Sequence, residues 1–129
     1  MPFDRTPDRT EVLTRFIFSG RHFTVTPRRV KPDAVLPSRD PLETSVFRTL
    51  GLDLLDIRRH GEEVGAPSAR TLKAWADLTA GAVADVGLDV RPDNVPERHA
   101  AIIGWPGEKD RQLSPAQQLS VTATLHLPV

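Results

Sequence analysis

The chain has no cysteine. Disulfides, thiolate nucleophiles and cysteine-ligated zinc or iron–sulfur sites are therefore excluded. No apolar run approaches the roughly 18 residues of a membrane-spanning helix. The opening Met1-Pro2-Phe3-Asp4-Arg5 lacks the charged-then-apolar order of a secretory signal, so a cytoplasmic location is expected, with no membrane partner. Neither sign of charge is in excess: 17 Lys and Arg balance 17 Asp and Glu. Holding duplex nucleic acid by bulk charge calls for a basic chain, so nucleic-acid binding here would need a local patch. Lysine is scarce, with only Lys31, Lys73 and Lys109. The arginine bias fits a GC-rich bacterial genome, or planar recognition of phosphate and carboxylate.

Signatures of chemistry are missing as well. Gly51, Gly61 and Gly65 fit neither nucleotide-binding fingerprint. His22, His60, His99 and His126 are dispersed, without the close spacing of zinc ligands, so no metal and no cofactor is expected. Ser19 and Ser45 lack the setting of a nucleophile elbow.

A length of 129 residues suits one domain. Twelve prolines point to long connections between short elements. Residues 1–10 are polar and read as a flexible N-terminal arm; residues 11–129 read as a single compact α+β domain. Strands are expected over residues 11–19, 44–50, 69–78, 88–90 and 98–104. Pro27 limits residues 23–30 to an edge segment or extended loop, and Pro32, Pro37 and Pro41 make residues 31–41 a surface loop. A helix is expected from Leu52 to Val64, weakened by the internal Gly61. Thr79 caps a second, ended by Gly87. A third is expected to begin either over residues 108–113 or at Ser114-Pro115, although residues 121–125 also alternate like a strand. The sum is a mixed sheet of about four to five strands with two to three helices. The run Ala100-Ala101-Ile102-Ile103 lacks alternation and reads as a central strand covered on both faces.

Two blocks carry a resemblance. Val30-Lys31-Pro32-Asp33-Ala34 through Ser45-Val46-Phe47-Arg48-Thr49-Leu50-Gly51-Leu52, and Arg98-His99-Ala100 through Gly104-Trp105-Pro106, are similar to a family of small uncharacterised bacterial proteins. The likeness spans residues 22–111. It implies a compact bacterial domain and no particular chemistry.

The residues suited to chemistry are His22, Lys31, Ser45, Arg48, Arg98 and His99. Arg98-His99 precedes the apolar run that Gly104-Trp105-Pro106 ends; Arg21-His22 follows another, Phe16-Ile17-Phe18. Both pairs place a cation and an imidazole at strand ends, where a hollow can form. The first expectation is a binding or accessory module that recognises a partner protein or a phosphate-bearing ligand through Arg98, His99, Trp105, Arg21 and Lys31. The alternative is a metal-independent ribonuclease. There His22 and His99 would exchange protons with the 2′-hydroxyl and the leaving oxygen, with Lys31, Arg48 or Arg98 stabilising the transition state. Trp105 suits either a stacking platform or a core plug. Arg28-Arg29 suits a local anion patch or a solvated surface. Arg58-Arg59, between Asp56 and Glu62-Glu63, suits helix ion pairs, and His60 a surface position.

Overall fold

The computed structural model describes residues 2–128, and its main sheet is antiparallel throughout. Its strands are β1 (Val12–Ile17), β4 (Thr44–Arg48), β5 (Ala74–Thr79), β6 (Asp89–Pro92), β7 (His99–Ile103) and β8 (Thr124–His126), in the order β6-β7-β4-β1-β5-β8. Two short strands, β2 (Phe23–Thr24) and β3 (Arg29–Val30), pair separately. Three α-helices are described: α1 (Leu54–Gly65), α2 (Ala80–Asp85) and α3 (Lys109–Thr122). The α+β single domain stands, with one strand more than expected and no parallel ladder among the described strands. β7 is interior, between β6 and β4, but the middle of the sheet is β4–β1.

Both faces of the sheet are covered. One carries Leu13, Val46, Leu78, Ala100 and Ile102 against Val83 of α2, Ala116 and Leu119 of α3, and Val35. The other carries Phe16, Phe47 and Trp75 against Ile57 of α1 and Leu72. Period-2 alternation produces this division: Phe16 and Phe47 leave their strands opposite to Leu13 and Val46. Trp105, just past β7, is 5 % exposed and packs in the first cluster, so it is a core plug and not a stacking surface.

Local signals fix the helices. Asp53 accepts from the Asp56 N–H and Thr79 from the Ala82 N–H, each satisfying an otherwise orphaned donor. Helix α3 takes the earlier of the two expected starts, beginning at Lys109 and running through Pro115. Its first turn is anchored by the buried Gln112, whose amide donates to the Pro106 carbonyl at 2.7 Å. Only at Ala123 does the chain become extended and enter β8. Arg58–Glu62 and Arg59–Asp56 form the helix ion pairs on α1.

The segment read as an N-terminal arm makes specific contacts. Phe3 lies under both Arg48 and Arg98, with guanidinium carbons 5.4 and 4.5 Å from its ring centroid. Arg48, 2 % exposed, donates to the Phe3 and Arg5 carbonyls and holds Glu11 through two bonds of 2.7 and 2.8 Å.

Two consequences for stability follow from this packing. Arg48→Met leaves the Glu11 carboxylate buried without its counter-charge, and is expected to cost about 3–5 kcal/mol; denaturant unfolding measures it, and a loss under about 1 kcal/mol would contradict the account. Gly61 of α1 is pressed on Phe16: a Cβ there would lie 2.6 Å from the ring. Gly61→Ala gains up to ~1 kcal/mol of helix propensity, yet overpacking of about 1–3 kcal/mol is expected to win. A higher melting temperature in that variant would refute the close contact.

Candidate functional site

The loop joining β6 to β7 decides where His99 points. Residues 93–98 fold back on β7: the Asn94 N–H donates to the His99 carbonyl at 2.9 Å, and the His99 N–H to the Pro96 carbonyl at 2.9 Å. Arg98 sits in the left-handed region (φ 73°), with its N–H held by the Asn94 side chain at 2.7 Å. The two neighbours therefore diverge. Arg98 reaches back to the Arg48 and Leu50 carbonyls over the Phe3 ring, whereas His99 enters the sheet.

His99 is held on three sides. Its Nδ1 lies 2.7 Å from Asp93 Oδ1 and its Nε2 lies 2.6 Å from Ser45 Oγ. The Phe47 ring meets it edge-on at 5.3 Å. A carboxylate only accepts, so Nδ1 carries the hydrogen; in the neutral imidazole Nε2 is then the acceptor for the Ser45 hydroxyl. The register produces the Ser45 contact: Ser45 pairs with Ala101 and Phe47 with His99, which puts Ser45 diagonal to His99 on one face. Burial pushes the Asp93 carboxyl up. The bonds from His99 and the Val95 N–H, with the charges of His99 and Arg91, outweigh it and hold the group below its ordinary value.

Ser45 and His99 open on a cavity of about 460 Å³ that Arg15, His22, Asp33 and Glu43 also border. Arg15 occupies an interruption in the sheet. The β1–β4 ladder pairs only Leu13 and Thr14 with Arg48 and Phe47. Beyond it the Arg15 guanidinium donates to the Ser45 and Ala34 carbonyls, each at 2.9 Å. Burial, then the charge of Arg70, pushes Arg15 down to about 10. His22 stands on the 3₁₀ turn Gly20–His22. Burial first, then Arg15 and Lys31, lower its pKa against the opposing Asp33, which favours the neutral ring.

A second concavity, about 770 Å³, lies between the β2–β3 hairpin and the end of α3. Its wall holds Arg28, Arg29 and Lys31 with no carboxylate among the lining residues. Arg28 is fixed by a 3.1 Å bond to the Leu125 carbonyl.

The structure thus brings His22 and His99 to one cavity and puts Lys31 on the neighbouring groove. Arg21 is exposed on its turn. Arg48, Arg98 and Trp105 are taken up by the fold and border neither hollow. The expectation that Arg98 and His99 reach one shared hollow is therefore corrected by the left-handed turn at Arg98. Sequence reasoning did not single out Arg15 or Asp93. The register that pairs β4 with β7 is the signal that joins Ser45 to His99, and it exists only in the folded sheet. Among the described residues no group of three His, Cys, Asp or Glu could hold a metal ion, and no helix is long and apolar enough to cross a membrane. No family model, curated protein or solved structure matches this chain.

His60 departs from its expected surface position. It is half-buried on α1, with Phe47 at 4.8 Å and Phe16 at 5.9 Å, and its Nε2 is buried without a hydrogen-bond partner among the described residues. Burial, then the nearby Arg98, lowers its pKa below the usual 6.5 despite Glu63 and Glu97. A base with a depressed folded pKa favours unfolding once it is protonated. Its contribution is intact above pH 6.5 and declines as the pH falls towards the folded value. Melting temperatures recorded from pH 7.5 to 5 are expected to fall less in His60→Leu than in the wild type; parallel curves would refute the assignment.

Proposed function

We propose that the protein is a small binding module for a phosphate-bearing ligand, held in the groove between the β2–β3 hairpin and α3. The observation that carries this reading is a wall whose charged residues, Arg28, Arg29 and Lys31, are all cationic, in a chain whose net charge is zero. Arginines that merely solvate a surface are usually interspersed with carboxylates. Here three cations converge on one concavity, and the carbonyl bond to Arg28 orients that side chain before any ligand arrives.

Cleavage of RNA without metal is the second reading, favoured by the meeting of His22 and His99 at one cavity. It ranks lower because both nitrogens of His99 are already engaged, by Asp93 and Ser45. The Nε2 that would exchange a proton with RNA is bonded to a hydroxyl of the protein itself.

One set of mixtures tests both readings. A fluorescein-labelled single-stranded oligoribonucleotide is titrated with protein, and pyrophosphate is titrated calorimetrically as the small phosphate probe. Binding of at least one is expected. It should weaken at least tenfold in Arg29→Glu/Lys31→Glu and fall with added salt, as counterion release requires. Failure of both probes to bind, or binding indifferent to the charge reversal, would reject the groove. The oligonucleotide is expected to stay intact on a gel; metal-independent cutting that disappears in His22→Ala would reverse the ranking.

A further inference from the structure

We infer that Ser45, His99 and Asp93 form a nucleophilic relay that hydrolyses a small, uncharged carboxylic ester in the cavity of about 460 Å³. The three groups have the connectivity this chemistry requires: hydroxyl to Nε2 at 2.6 Å and Nδ1 to carboxylate at 2.7 Å. Ser45 and His99 stand on adjacent paired strands, so their separation is fixed by the sheet. Asp93 stands on a loop tied to β7 by backbone bonds. A serine and a histidine that only satisfied each other would not need a carboxylate on the far nitrogen, nor a place on a cavity wall.

The reaction balances with water as the sole co-reactant. Ser45 Oγ attacks the ester carbonyl carbon while its proton passes to His99 Nε2, and Asp93 stabilises the imidazolium and holds its orientation. The tetrahedral adduct collapses, the C–O bond to the alcohol breaks, and His99 returns the proton to the leaving oxygen. Water then attacks the acyl-serine, giving one proton to Nε2. Expulsion of Ser45 Oγ, which takes that proton back, releases the carboxylic acid. Arg15 supplies positive charge on the cavity wall, and its Nη2 makes no hydrogen bond among the described residues. Leu36, Pro37 and Pro41 offer apolar surface for a short acyl chain. Asp33 and Glu43 on the same wall oppose an anionic substrate, which separates this site from the cationic groove.

The test uses the full chain. A fluorophosphonate probe is expected to add one equivalent by intact mass, with the adduct mapped to Ser45, and p-nitrophenyl acetate is expected to be turned over. Ser45→Ala should abolish labelling, and His99→Gln should reduce both rates at least a hundredfold. For the positioning residue, Asp93→Asn should lower kcat at least tenfold with KM unchanged, and Asp93→Glu should recover part of the loss. Peptide mapping of the wild type decides the matter even where a variant fails to fold. Absence of any adduct on Ser45, or turnover in folded Ser45→Ala at the wild-type rate, would overturn the relay.

Discussion

The buried guanidinium of Arg48 is the constraint on which the rest of the structure depends. It joins β4 to the N-terminal segment, far away in sequence, through the carbonyls of Phe3 and Arg5 and the carboxylate of Glu11. Its backbone N–H bonds the Arg98 carbonyl at 2.8 Å, and the Arg98 side chain bonds the Arg48 carbonyl in return. Two arginines thus lock the end of the β4–β7 ladder from both sides. Isolated buried ion pairs contribute little net stability, because desolvation offsets attraction. This one is embedded in further charge-assisted bonds to carbonyls, so its donors are satisfied where water is excluded.

Locking that ladder determines the site. With Phe47 opposite His99, Ser45 falls diagonally across from the imidazole, and the tied loop returns Asp93 to its other nitrogen. On the other side of β4 the ladder with β1 ends early, and the Arg15 guanidinium takes up the Ser45 carbonyl. A half-open strand at the centre of a sheet would ordinarily expose unpaired backbone. Here the unpaired carbonyl is satisfied by a side chain that also borders the cavity, so closing the backbone account and charging the cavity are one event.

Charge balance over the whole chain conceals local separation. The groove beside α3 concentrates Arg28, Arg29 and Lys31, whereas the cavity beside Ser45 mixes Arg15 with Asp33, Glu43 and His22. The two hollows flank one proline-rich segment, and Lys31 and Asp33 stand two positions apart on it. Affinity for anions is a property of such local fields, which fall off within about 8–10 Å in physiological salt. A net charge of zero therefore says little about either hollow.

Much of the architecture was legible from residue patterns. β1, β4, α1, α2 and β7 follow from alternation, apolar spacing, the Thr79 cap and the glycines that end them, because these are local preferences of short segments. Of the two helix starts read for α3, the one at Ser114-Pro115 fails, since a buried Gln112 bonded to Pro106 sustains the turn before the proline. His60 misled for a similar reason: its polar neighbours in sequence are not its neighbours in space, which are Phe16 and Phe47. Residue order alone settled an α+β chain without thiol chemistry, and marked His22, His99 and Ser45 as residue types suited to chemistry. Only tertiary structure decided that Ser45 and Asp93 flank one imidazole and that Arg98 turns away from it. Strand register and a left-handed turn are set by contacts between distant segments, which residue order does not express.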